Sequence, residues 1–344
     1  MMNKYVLFVW LLFFSTVSTS IAAPSLEKRE RSNHFDTFTV YWENDLFAGT
    51  DRDYTNGVKF SWSTPYGEGE ATSLPNWSLP FFENLPFVGG ADSLHAVSLS
   101  LGQDIFTPED TDSVAVVEDD RPYAGYTYLA VGFHSRKERR KDNWELRIGV
   151  VGPASLAQKT QNIVHDLIGA ERGKGWDNQL ENELAIDLIC ESQWRWWSKP
   201  VGKNFGFDLI PHLGGRVGTV NVYLNAGAEA RFGWNLPNDF GSCPIRGGCE
   251  TNSAFGDSAG RSSSVHFFLS ADGKVVAHDI FLDGNLYHNS HSVDKEPLVG
   301  ELMGGFVWQH GGTKLTYSYI YRTRQFDTQD DNQTYGSLSL AWSF

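Results

Sequence analysis

The sequence predicts an all-β fold, an outer-membrane antiparallel β-barrel of about twelve strands with a short α-helix in an extracellular loop. Three observations point there. The chain has 344 residues, 14% of them aromatic, with 34 glycines and a mean hydropathy of −0.34. After residue 22 it holds no run of the ~18 apolar residues that a membrane helix needs. Its last seven residues, Leu338-Ser339-Leu340-Ala341-Trp342-Ser343-Phe344, alternate large apolar with small or polar side chains, which is the period of a strand with one greasy face. Similar segments recur along the chain with no repeat or linker between them, so residues 23–344 read as one domain. A soluble sandwich shares the alternation, but a terminal Phe and an aromatic-rich greasy face fit a barrel with aromatic girdles at both interfaces.

Strands are expected near 36–45, 56–64, 94–103, 126–135, 142–151, 183–196, 205–216, 219–232, 263–282, 297–309, 312–325 and 335–344. Asp272-Gly273 has the composition of a hairpin turn. Splitting the ninth segment there would give an odd number of strands, whereas single-chain bacterial barrels have even numbers, so it stays one long strand. Gly218 and Gly311-Gly312 suit tight turns. Pro153 to Gly169 breaks the pattern, with Leu156, Ile163 and Leu167 at helical spacing, Pro153 fit for a first turn and Gly169 for a C-cap. This is the loop helix, between the fifth and sixth strands, placed to plug or cap the barrel. With both termini periplasmic, the segments 104–125, 152–182 and 233–262 are expected as outer loops, and the Pro-containing 65–93 connection as a long inner one.

The N-terminus carries the marks of a cleaved leader, residues 1–22: Lys4, the apolar run Val6 to Phe14, and Ser20-Ile21-Ala22 as a small-residue cleavage site. Export to an oxidising compartment lets Cys243 and Cys249 form a disulfide, here expected in an outer loop, and leaves Cys190 free. The two cysteines have no second pair or His cluster to complete a zinc site. Lys+Arg 28 against Asp+Glu 42 gives a net charge of −14, which excludes a nucleic-acid partner because the basic footprint is absent. The chain is expected to act as a monomer.

Three polar clusters fall at expected outward ends. Glu43-Asn44-Asp45 closes the first strand, and Thr50-Asp51-Arg52-Asp53-Tyr54-Thr55-Asn56-Gly57 opens the second. Asp45, Asp51 and Asp53 offer the hard oxygens that Ca²⁺ prefers, although a solvated hairpin loop has the same composition. Asp119-Asp120-Arg121-Pro122-Tyr123-Ala124-Gly125 opens the fourth strand, where Arg121 reads most simply as a structural salt bridge. The third cluster is the helix with His165, followed by Glu171 and Trp176-Asp177-Asn178-Gln179. There is no G-x-S-x-G elbow and no HExxH motif. A His base with a hard cation is the acyl-hydrolysis chemistry that stays open.

These residues carry a resemblance. The stretches VYWENDLFAGTDRDYTNG, LGQDIFTPED, DDRPYAGY and GPASLAQKTQNIVHDLIGAERGKGWDNQLENE resemble, in order, the outer-membrane lipid A 3'-O-deacylase family. The likeness is densest from Phe38 to Glu183. It implies a twelve-stranded barrel with a site between the wall and the loop helix, on the outer-leaflet side. It also implies Ca²⁺-dependent hydrolysis of the 3'-linked acyloxyacyl ester of lipid A in lipopolysaccharide. By position, the family's site residues fall on Asn44, Asp45, Thr55, His165 and Glu171, with Asp45 as the metal ligand. Asn44 and Thr55 would position ligands or water, His165 would activate water, and Glu171 would orient the His or support the metal. Some members carry a lysine after the GQ segment, where this chain has Thr111-Asp112-Ser113. The competing readings are a non-enzymatic porin-like barrel and an outer-membrane phospholipid acyl hydrolase.

Overall fold

Alternation of small and large side chains over a dozen segments that follow one another along the chain leaves each strand to pair with the next. The computed structural model describes residues 35–45, 53–66, 74–88, 93–242, 245 and 263–344. The expected leader and both Cys243 and Cys249 fall outside them. The strands are β1 (Thr37–Asn44), β2 (Asp53–Ser63), β3 (Leu94–Thr107), β4 (Ala124–Arg136), β5 (Arg140–Val151), β6 (Glu183–Trp194), β7 (Trp197–Val201), β8 (Phe205–Gly218), β9 (Asn221–Trp234), β10 (Ser264–Asp279), β11 (Leu298–His310), β12 (Thr313–Arg322) and β13 (Gln333–Ser343). β6 and β7 are two pieces of one stave, pairing with successive parts of β8. β13 pairs with β1, so twelve antiparallel staves close into a barrel. β10 runs unbroken through Asp272-Gly273, paired on both sides there.

Period 2 separates two environments. Leu338, Leu340 and Trp342 take the partly exposed positions of β13 while Ser337, Ser339 and Ala341 are buried between them, and Phe344 is 70% exposed at the end. Phe38 stacks on Phe60 and Trp342 on the same outer face. Inside, the lumen is lined by paired charges: Arg147 with Glu145 at 2.5 Å, Arg216 with Asp187 at 2.8 Å, Arg322 with Glu301 at 2.6 Å, and Arg231 with both Asp208 and Asp239. A buried charge needs such a partner. The low mean hydropathy of a membrane protein is thereby explained. Lumenal residues, not loops alone, hold many of its charges.

The strand count assigns the ends. Termini of the barrel and the connections 64–93, 137–139, 202–204, 235–263 and 311–312 share one end, here the inner end. This overturns one expectation. The segment holding Cys243 and Cys249 was expected as an outer loop, but it leaves β9 and rejoins β10 at the inner end. Length misleads because described residues of the connection bond inside the lumen. Asp239 bonds Arg231 and Lys314, the Ser242 N–H donates to Glu229 at 2.9 Å, and the Ile245 N–H donates to Glu43 at 2.6 Å, near the outer end of β1.

Residues 74–88 of the inner connection lie on the outside of the wall. Helix α1 (Leu79–Asn84) and its flanks pack Leu74, Phe82 and Val88 against Val97 of β3 and Phe133 of β4. Trp144 donates from its indole to the Pro86 carbonyl at 2.9 Å. We call this segment the strap.

Candidate functional site

One row of residues crosses four staves on the lipid-facing side, near the outer end. Asn44 pairs with Asn56, Asn56 with Ile105, and Ile105 with Gly125. Neighbouring strands lie about 4.8 Å apart, so Asn44 is roughly 14 Å from Gly125 along this row. Asn44 and Asp45 are almost fully buried, at 4% and 0% exposure. Between Tyr54 and Asn56 the β2–β3 register shifts, which makes Thr55 the extra residue of a bulge. Bulges re-aim the chain beside sites. The Thr55 side chain is outside the described part.

Over the other end of the row lies the loop 152–182. A 3₁₀ turn, Pro153–Ser155, leads into α2 (Ala157–Ile168), which ends on Gly169 in the left-handed conformation at φ +72°. The helix and its C-cap agree with the sequence expectation. The side it presents is set by the barrel. Leu156, Ile163 and Leu167 are 53%, 61% and 78% exposed, while Ala157 and Gln161 are buried. The greasy stripe faces away from the protein because lipid, not a protein core, is the apolar phase outside a barrel wall. The helix therefore does not plug the lumen. It lies across the outer face of β3 and β4.

Its seat is specific. A Cβ on Gly125 would collide with Ala157 and Ser155, so glycine there permits the close approach. Gln103 and Thr127 both donate to the Ser155 carbonyl at 2.7 Å, and Gln103 also donates to Thr127 at 3.0 Å. Both occupy greasy-face positions, and that polar interruption of Leu99-x-Leu101-x-Gln103-x-Ile105 was a signal readable in the sequence. Ile105, Tyr123, Ala157 and Trp176 form a small core beneath the helix. The Trp176 indole donates to Gln161 at 2.7 Å. Burial pushes the Tyr123 hydroxyl up to about 12.

His165 is partly exposed near the helix end. Its Nδ1 lies 2.5 Å from the Glu171 carbonyl. A carbonyl only accepts, so Nδ1 carries the proton and neutral His165 keeps its lone pair on Nε2. The Glu171 side chain itself is exposed, so its main chain makes this contact. Next to His165, Asp166 pairs with Arg172 at 2.5 Å, and the hydrogen bonds from that guanidinium hold the Asp166 carboxyl below its ordinary range. Lys174 reaches Asp112 at 2.7 Å, bringing a lysine from the second loop to the segment where the sequence has none. Arg121 is 1% exposed with Phe106 and Phe326 rings beside its guanidinium and Gln325 at 2.9 Å. It packs with the lumenal cluster, where its charge also faces Asp279.

Among the described residues no three His, Cys, Asp or Glu side chains converge as a metal cluster. Next to Asp45 in the chain and in the paired row, Asn44 and Asn56 carry amide oxygens beside its carboxylate. An all-oxygen set suits Ca²⁺ rather than a transition metal.

The chain matches the family model described as outer membrane protein LpxR over residues 7–344. No curated protein matches its sequence. Among solved structures, LpxR from Salmonella typhimurium superposes with a TM-score of 0.73 at 19% identity, covering 90% of this chain and 100% of that one. The β domain of the Bordetella autotransporter BrkA gives a TM-score of 0.45 at 9% identity, with 90% and 99% covered. The first likeness supports the twelve-stave barrel fold. With its alternating wall, closed sheet and helix-capped outer row, the chain belongs to the outer membrane protein LpxR family.

Proposed function

We propose that the protein is a calcium-dependent ester hydrolase that removes the 3'-linked acyloxyacyl chain of lipid A in the outer leaflet. The observation that carries this reading is the seat of His165 in a helix laid on the lipid-facing wall, at the outer end, with its tautomer set by the Glu171 carbonyl. An ester at the boundary between sugar and acyl chain approaches from the membrane, so its site belongs on the outside of the barrel. A porin-like role is disfavoured, because the lumen holds buried charges, among them Lys59 of β2 with Glu145 of β5 at 3.8 Å, and takes in Asp239, Ser242 and Ile245 of the β9–β10 connection.

In this mechanism His165 Nε2 accepts a proton from water as the oxygen attacks the ester carbonyl carbon. It then returns the proton to the departing sugar alkoxide, giving a free acid and a sugar hydroxyl. Asp45 would hold Ca²⁺, with Asn44 and Thr55 ordering ligands or water beside it. The bound ion would supply positive charge to the carbonyl oxygen. Glu171 keeps the imidazole oriented through its main chain. The test is mass spectrometry of lipid A from cells making the parent or His165→Ala protein, with and without EDTA. The parent should release the 3' chain and EDTA should stop it, while His165→Ala should be slower by about 10²–10⁴-fold. A His165→Ala protein at the parent rate, or release of phospholipid acyl chains instead, would sink the reading.

A further inference from the structure

The inner rim of one barrel sector combines exposed aromatic rings with exposed cations in a chain that is acidic overall. In the strap, Trp77 is 48% and Phe87 63% exposed although the same segment packs on the wall. Phe87 has φ +68°, which is an outlier for a bulky side chain. It holds the ring out beside Arg140, whose guanidinium is 5.3 Å away. Two staves on, Trp196 and Trp197 are 73% and 47% exposed. The two places are continuous, since the Arg195 N–H donates to the Arg139 carbonyl at 2.9 Å and Arg140 pairs with Trp194.

Cations punctuate this surface. Lys137, Arg139, Lys199 and Lys203 are all exposed, and Lys199 sits 5.0 Å from the Trp197 ring. Of the nearby acids among the described residues, Asp142 is taken by Arg140 at 2.8 Å and buried Asp208 by Arg231 at 2.6 Å, leaving Glu138 in the β4–β5 turn and Glu83 in the strap as exposed acids against four exposed bases. Aromatic rings settle at headgroup level, and lysines and arginines just beyond them attract anionic lipid. This end carries the barrel termini and thus faces the periplasm, where the leaflet is phospholipid.

We infer that the rim from the strap to the β7–β8 hairpin is a docking site for anionic phospholipid of the periplasmic leaflet, with the rings in the headgroup layer and the four bases on the phosphate. The occupant follows from continuity with the barrel's own lipid belt and from charge complementarity. The inference is independent of the deacylase reading, because the site is at the opposite end from α2.

The experiment is native mass spectrometry of the full chain in detergent micelles with phosphatidylglycerol or phosphatidylethanolamine, each with and without excess inorganic phosphate. The parent should retain phosphatidylglycerol preferentially, and phosphate should not displace it. Lys137→Gln/Arg139→Gln/Lys199→Gln/Lys203→Gln, shown to be folded by heat-shifted gel mobility, should lose that preference by about fivefold or more while its lipid A deacylation stays at the parent level. Trp196→Ala/Trp197→Ala should weaken both lipids in proportion. A parent without preference, a quadruple variant that keeps it, or displacement by phosphate would overturn the inference.

Discussion

Two segments lie on the outside of the same wall over β3 and β4, at opposite ends, and they are fastened differently. At the outer end α2 is held by two hydrogen bonds onto one carbonyl and by a glycine-sized gap. At the inner end the strap is held chiefly by rings, with Phe81 stacked on Phe133 at 4.8 Å and Phe82 edge-on at 5.6 Å, and by the one indole hydrogen bond from Trp144. Hydrogen bonds in an apolar setting are directional and costly to misplace, so they fix where His165 stands. Aromatic packing tolerates sliding and chiefly fixes depth. The contrast separates a segment built for positional accuracy from one built for attachment.

The largest break in that contrast should come from Gly125→Val, which lifts α2 off its seat. Displacement by an ångström costs about 10² in rate when geometry is the source of catalysis. Lipid A deacylation should fall by about that factor while the barrel keeps its heat-shifted gel mobility; an unchanged rate would mean the seat does not position His165. Phe133→Ala tests the other fastening. Losing the ring beneath the strap should cost about 3 kcal/mol of stability, read as a lower urea midpoint in micelles. Deacylation below the midpoint should stay near the parent rate, and a loss of activity without a loss of stability would blur the division. The smallest effect is expected for Glu171→Ala. Its carbonyl orients His165 and its exposed side chain does not, so the rate should stay within about twofold. A large loss would instead make the carboxylate a direct participant at the site.

Much of this molecule was legible because a barrel repeats one simple rule. Alternation placed Leu338, Leu340, Trp342 and Phe344 on the outer face, and even strand number kept β10 whole across Asp272-Gly273. The same rule, applied through to the eighth stave, roots the 235–263 connection at the inner end; loop length was the wrong guide, since Asp239, Ser242 and Ile245 of this connection bond side chains inside the barrel. The end of the helix followed from Gly169, whose left-handed conformation closes the last turn, whereas its start, expected at Pro153, comes at Ala157 because left-handed Leu156 separates it from the 3₁₀ turn. The side it presents did not follow. Leu156, Ile163 and Leu167 would face a core in a soluble protein, and here they face lipid.

Local chemistry along the chain determined the staves, their facing, the cap of α2 and the polar residues at the outer ends, because each depends on neighbours one to four residues away. Only the closed sheet decided that Asn44, Asn56, Ile105 and Gly125 share a row, or that Gln103 and Thr127 meet Ser155. It also decided that the Glu171 main chain, not its carboxylate, meets His165. These contacts join segments tens of residues apart whose alignment depends on strand register, on the bulge at Thr55 and on the apolar phase outside the wall.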